Sequence, residues 1–321
     1  MTIADTAASL KASIKTNYAT HYRGDTAPAI ADFVRGYSLE ATRPTTEEVA
    51  ALASIAATGT RVYVSAVATR PLQEVIASAV RLRAAGFNPV PHLAVRMFPS
   101  SAQLDDFLAQ LNAEAGVDRL LVIAGDRQQP AGSFRSAIEV IDGGALQRHG
   151  IREVGIAGYP EGHPRISQQD LDRALMDKIA AAEATGISVH IVTQFCFDAA
   201  AIVRWIARLR DFGLEHPVRV GLAGPTNLAA LLRYARRCGV RASAQGLARQ
   251  SGLVRQLFAM SAPDALLEAL AQDQAEGHLG VVKPHFFAFG GVVRTARWAS
   301  AVAERRITFE ATQGFRVEPA A

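Results

Sequence analysis

The sequence predicts a (β/α)8 barrel preceded by an N-terminal helical extension. Short apolar, partly β-branched runs alternate with helix-period segments along the chain, which implies parallel strands joined by helical crossovers. Eight such runs fall between Gly36 and Phe289, the number that closes a barrel. No Gly-x-Gly-x-x-Gly follows any of them, which argues against an open dinucleotide-binding sheet.

Each element has its own signal. Residues 1–34 are Ala-rich and polar and read as the helical extension, 35–310 as the barrel and 311–321 as a C-terminal tail. The first strand is 36–41; Thr45-Thr46-Glu47-Glu48 then opens a helix reaching about residue 58. Strand 61–67 is followed by a helix that Pro71 opens and Gly86 closes. Strand 88–95 precedes a helix over 101–115, with Leu104, Phe107, Leu108 and Leu111 on one face. Strand 118–124 runs into the loop DRQQPAGSF and then a helix over 134–148. Strand 153–158 leads to a long helix capped by Ser167 and ending at Ala184. Strand 188–195 leads to a helix capped by Asp198, with Ile202, Val203, Ile206 and Leu209 on one face. Strand 217–222 precedes a helix capped by Thr226 and running to Arg237. A mostly helical section over 242–276, strand 280–289 and a closing helix over 291–304 complete the pattern.

Composition narrows the function classes. A chain of 321 residues that is 49% hydrophobic can bury a large core. The net charge is only +4 and the Arg residues are scattered; a nucleic-acid surface needs a one-sided basic stripe. Two cysteines, Cys196 and Cys238, are too few for a disulfide framework or zinc site and suit a reducing cytoplasm. The N-terminus lacks the apolar core of a signal peptide, and no apolar run approaches membrane-spanning length. A cytoplasmic location, no membrane and no metal centre are the expectations.

In such a barrel, chemistry sits at the carboxyl ends of the strands and in the loops that follow. Those positions hold Glu40, Ser65, His92, Asp126, Tyr159 with Glu161 and His163, and Gln194. The last two strands add Gly224 with Asn227, and His285 with Phe286 and Phe287. Glu40 reads as either a salt-bridged strand-end carboxylate or a general acid whose pKa burial raises. Asp126, after Gly125, is either a turn residue or a carboxylate beside an electron-rich heterocycle. His92 on an apolar strand reads first as a satisfied core residue. The segment Tyr159-Pro160-Glu161-Gly162-His163-Pro164 is a stiff loop carrying three functional groups, which favours ligand binding. Gln194 ends its strand among aromatics, where an amide could read the edge of a planar heterocycle. Cys196 has no nearby base in sequence, and no thiolate nucleophile is expected.

Taken in order, SLEATRP, PHLAV, AGD, GYPEGHP, TQFCFD and the late HFF resemble the methylenetetrahydrofolate reductase family over residues 36–290. The resemblance implies a flavoprotein barrel with FAD and with NADH or NADPH as co-substrate. It would interconvert 5,10-methylenetetrahydrofolate and 5-methyltetrahydrofolate by ping-pong hydride transfer. By resemblance Glu40 is the general acid that helps open the five-membered ring to an iminium. Asp126 matches the carboxylate beside flavin and pterin, and Gln194 the pterin-binding amide. Ser65, His92, Phe134, Ala157, Tyr159, His163, Asp172 and Lys178 fall at cofactor-binding positions, and Tyr234 at an aromatic position near folate and nicotinamide. The expected partner is a small folate in one-carbon metabolism, with association into a homo-oligomer.

The chain departs from the family at several points. Ala124 replaces the arginine of Arg-Gly-Asp, Leu175 stands at a polar cofactor position, and Ala288-Phe289-Gly290-Gly291 replaces Thr-x-Asn-Arg, leaving Arg294 as the next arginine. These changes touch cofactor and folate-tail binding more than Glu40, Asp126 and Gln194. They leave open a methyl-oxidising direction in a demethylation pathway, an FAD-free folate-binding barrel, and a folate-linked methyltransferase.

Overall fold

A computed structural model describes residues 26–237, 260–277, 279–309 and 314–318. The expected helical content of residues 1–25 and of 242–259 lies outside them. Eight parallel strands close into a barrel: β1 Ser38–Ala41, β2 Arg61–Val64, β3 Asn88–Ala94, β4 Arg119–Ile123, β5 Glu153–Gly158, β6 Ser188–Thr193, β7 Val218–Ala223 and β8 Val282–Phe287. Neighbours follow chain order, and β8 pairs in parallel with both β7 and β1.

Period-2 alternation explains how the chain fills this shape. Leu39, Val62, Leu93, Val122, Ile156, Ile191, Leu222 and Phe286, one from each strand, point outward beneath the helices and are fully buried. Each such side chain contributes about 1.5–3 kcal/mol by leaving water. The alternate residues point inward, where Tyr63, Val90, Leu121 and Val192 fill the middle of the barrel.

Local signals set the helices. Thr45 forms a capping box with Glu48 ahead of α2, Thr46–Ala53, after the first helix, α1, Ala27–Val34. The helices α3 Gln73–Ala84, α4 Ser101–Ala115, α5 Gln168–Ala184 and α6 Ala199–Asp211 follow strands β2, β3, β5 and β6. Ser100, Ser167 and Asp198 each accept a backbone N–H at the start of α4, α5 and α6. The last three helices are α7 Leu228–Arg237, α8 Asp264–Ala275 and α9 Val292–Ala303.

Two expectations are corrected. The helix over 134–148 is two short pieces, Ile138–Ile141 and Ala145–Arg148, because Gly143-Gly144 interrupts it and Gly144 takes a φ of 73°. Asn227, not Thr226, caps α7: its Oδ1 accepts the Ala230 N–H at 2.8 Å, while Thr226 pairs as a strand residue with Ser261.

The helix α1 buries Ile30, Phe33 and Val34 and packs on α8, α9 and β8. The Asp32 carbonyl accepts Lys283 Nζ at 2.7 Å and the Gly36 carbonyl accepts Arg219 at 3.3 Å. Residues 26–37 therefore sit at the amino end of the barrel. No helix among the described residues is long and apolar enough to cross a membrane.

Candidate functional site

At the carboxyl end, register gathers four strands around Glu40. Glu40 lies beside Tyr63 of β2 and Phe287 of β8, and Ser38 lies beside His285. The Glu40 carboxylate accepts the Ser65 hydroxyl at 2.8 Å and meets Nε2 of both His92 and His285 at 3.4 Å. Ser38 Oγ lies 2.9 Å from His285 Nδ1. With the Ser38 hydroxyl donating there, the Nε2 proton of His285 points to Glu40. Burial pulls the His285 pKa down, more than its contact with Glu40 raises it, so the ring stays neutral.

Burial also works against the Glu40 charge. The His92 charge, the hydrogen bond from His285 and the close contact with His92 outweigh it, and the carboxyl lies below the usual carboxylate range. The expectation of a raised pKa is therefore corrected: in the free protein Glu40 is an ionised acceptor. The sequence reading saw burial but not the imidazole of a strand 245 residues away. His92, expected at a cofactor position, lies at this carboxylate.

The β4 exit carries the second carboxylate. Gly125 has a φ of +87°, and a Cβ there would stand 2.9 Å from the Ala94 Cβ, so only glycine lets the chain turn against β3. Asp126 is exposed just beyond. Its charge reaches Tyr159, whose phenol is pushed up first by burial and then by Asp126. Tyr159 meets His163 edge-on at 5.4 Å, and burial, then the charge of Arg165, lower the His163 pKa. Tyr159, His163 and Asp126 thus form one group at the exits of β4 and β5, whose strand β5 also carries Ala157. Phe134 is half-buried against the main core at the end of the β4 loop.

The α5 residues divide. Burial alone pulls the Lys178 ammonium down to about 8. Asp172 is already engaged, its Oδ1 accepting Arg208 at 2.9 Å and Gln168 at 2.8 Å. Leu175 is buried in the core.

On the opposite side lies an aromatic wall. Phe195 makes edge contacts with Phe197, Phe287 and Phe289 at 5.7, 5.5 and 5.0 Å. Tyr234 of α7 stacks on Phe289 at 4.1 Å and 12°, and the Arg233 guanidinium stands 5.4 Å from the Tyr234 ring. Gln194 enters this wall from the β6 exit, its side-chain oxygen accepting the Phe195 N–H at 3.1 Å. Cys196 is buried nearby, and burial pushes its thiol up to about 12, which makes it inert.

Sequence reasoning missed what lies deeper. Tyr63 places its ring 4.6 Å from His285 and its hydroxyl 2.6 Å from His190 Nε2. His190 Nδ1 lies 2.8 Å from Glu153, which Arg61 grips through two hydrogen bonds at 2.6 and 3.0 Å. The available signal was alternation: Glu153 and His190 share the inward parity of Ala157 and Gln194 on β5 and β6.

Comparison with known proteins agrees with this geometry. Residues 37–253 match the family profile described as methylenetetrahydrofolate reductase. The chain is 28% identical over 157 residues to Methylenetetrahydrofolate reductase 2 of Saccharomyces cerevisiae, covering 47% of this chain and 26% of that protein. It is 28% identical over 158 residues to 5,10-methylenetetrahydrofolate reductase of Pectobacterium carotovorum, covering 49% of this chain and 50% of that protein. Against Methylenetetrahydrofolate reductase (NADH) 1 of Arabidopsis thaliana the figures are 25% over 146 residues, 40% and 24%. The matched stretches thus span from about a quarter to half of those relatives.

Proposed function

The chain belongs to the methylenetetrahydrofolate reductase family, and on that premise we propose that it interconverts 5,10-methylenetetrahydrofolate and 5-methyltetrahydrofolate, with FAD bound at the β4–β5 exits and NADH or NADPH as co-substrate. Residues suited to FAD are present. Lys178 offers a half-buried ammonium for a diphosphate, and Tyr159 with His163 offers a polar aromatic edge. Bound FAD would supply two-electron hydride chemistry. Asp126 would lie beside the flavin and pterin, Gln194 would bind the pterin edge, and Tyr234 with Phe289 would flank the folate ring system.

The reading of direction rests on the cluster of Glu40 with Ser65 at 2.8 Å and His92 and His285 at 3.4 Å, which outweighs burial and lowers the Glu40 pKa. Oxidation of 5-methyltetrahydrofolate removes a hydride from the methyl group. As N10 closes on the resulting iminium carbon, a proton must leave N10. Glu40, ionised and placed among Ser65, His92 and His285, would be the carboxylate that accepts it in this direction and returns it in the other. In the reducing direction the same carboxyl would first have to take up a proton. The ionised resting state of Glu40 is the one the methyl-oxidising direction needs, which supports that direction.

The test is turnover by the full chain loaded with FAD, followed in both directions across pH. Across the pH range in which the chain stays folded, methyl oxidation should show no loss at the ordinary carboxyl pKa, and the reducing rate should climb as pH falls. A protein that cannot be loaded with FAD yet binds 5-methyltetrahydrofolate tightly would replace this reading with a folate-binding barrel.

A further inference from the structure

The segment from Ala124 to Ser136 carries Asp126 and Phe134 but has no regular structure. What shapes it is one residue on the neighbouring strand exit, in the 3₁₀ turn Val95–Met97 that follows β3. The Arg96 backbone N–H donates to the Ala124 carbonyl at 3.1 Å, and the Arg96 carbonyl accepts the Ala131 N–H at 2.9 Å. Its side chain reaches both flanks of the loop: Nε donates to the Arg135 carbonyl at 2.7 Å and Nη1 to the Arg127 carbonyl at 3.3 Å. Steric fit reinforces these bonds. A Cβ on Gly132 would collide with the Pro99 carbonyl, so the loop lies directly on the turn. Beyond the grip, Glu139 accepts the N–H groups of Arg135 and Ser136 and fixes the entry to the following helical piece.

We propose that Arg96 is a positioning residue, a guanidinium clamp that holds the 124–135 segment on the β3 exit and so sets where Asp126 stands. The proposal rests on the functional reading above for the importance of Asp126, but the clamp itself is a property of the ligand-free chain. Two carbonyls held by one charged, forked donor make a bond set that lysine, with its single ammonium, would reproduce only in part.

The experiment compares Arg96→Ala and Arg96→Lys with the unmodified full chain. Without ligand, hydrogen exchange of the Ala131, Arg135 and Ser136 amides, the ones in this stretch with acceptors, should quicken by about tenfold or more in R96A, as loss of a charge-assisted bond implies. R96K should restore part of that protection, and amides of β1 to β8 should be unmoved. Ultraviolet titration of Tyr159, isolated by subtracting a Tyr159→Phe background, should move down in R96A as the Asp126 charge leaves it. A loss of global stability would instead raise exchange throughout the barrel. With FAD and folate, R96A should raise KM more than it lowers kcat. Unchanged loop exchange and an unchanged Tyr159 titration in R96A overturn the clamp. If the unmodified chain binds neither FAD nor folate, the functional reading falls, while the two ligand-free measurements still decide the clamp.

Discussion

The two ends of the barrel hold the same kind of group in opposite ways. Glu153, near the amino end, is gripped by the Arg61 fork at 2.6 and 3.0 Å, with His190 at 2.8 Å. Glu40, near the carboxyl end, has one short bond, from Ser65 at 2.8 Å, and two imidazoles at 3.4 Å. Both carboxyls have lowered pKa values and imidazole neighbours, but only Glu153 also has a guanidinium. A guanidinium cannot give up its proton, so Glu153 is locked. Imidazoles and a hydroxyl can shift or exchange protons, and the longer contacts leave room for a ligand atom. On the proposed function, the difference makes Glu153 the scaffold carboxylate and Glu40 the reacting one. Tyr63 joins the two, touching His285 with its ring and His190 with its hydroxyl.

That contrast can be broken by substitution. The largest effect is expected from Glu40→Gln, which keeps the shape but cannot accept a proton. Turnover should fall by about 10²–10⁴-fold, with little change in the urea midpoint. Glu153→Ala should do the reverse. Stranding Arg61, and Arg119 whose Nε stands 3.4 Å from the same carboxylate, should cost about 3–5 kcal/mol of stability by denaturant unfolding, with kcat and KM near the unmodified values. If E153A abolished turnover in folded protein, the division into scaffold and chemistry would be wrong.

Acid sharpens the same point. Burial opposes the Glu153 charge, but His190 and then Arg61 bring its pKa from 4.5 down to about 2. A lowered carboxyl pKa means stability that is complete above the unfolded value and lost as pH falls through about 2. Burial holds His190 down to about 4 against its ordinary 6.5, so stability also declines as pH falls from 6.5 to about 4. Unfolding curves across pH should show both limbs in the unmodified chain, and the lower one should flatten in Glu153→Gln. The smallest effect is expected at the aromatic wall. Phe289→Ala should weaken folate binding by about 1 kcal/mol through loss of the Tyr234 stack, read by isothermal titration.

The barrel was legible in the sequence because its signals are local. Alternating apolar runs marked all eight strands, and the caps at Thr45, Ser167 and Asp198 stand where side-chain chemistry demanded. The helix over 134–148 was misread because apolar spacing continues across Gly143-Gly144, and only the backbone shows the break. The identities Glu40, Asp126, Tyr159 and Gln194 could be read as strand-end residues. The charge state of Glu40 could not, since it depends on His285, which is remote in sequence and adjacent only once the barrel closes. Glu153 and Arg61 looked like ordinary polar strand starts for the same reason. Arg96 escaped notice because its role is defined by the carbonyls it reaches.

The central claim is that this barrel passes hydride between folate and a bound flavin at the mouth holding Glu40 and Asp126. The most direct measurement is the visible spectrum of the full chain loaded with FAD, before and after anaerobic addition of 5-methyltetrahydrofolate. The account predicts that the oxidised flavin band bleaches on addition and returns when 5,10-methylenetetrahydrofolate is supplied. A loaded protein whose flavin band is unmoved by either folate would contradict it.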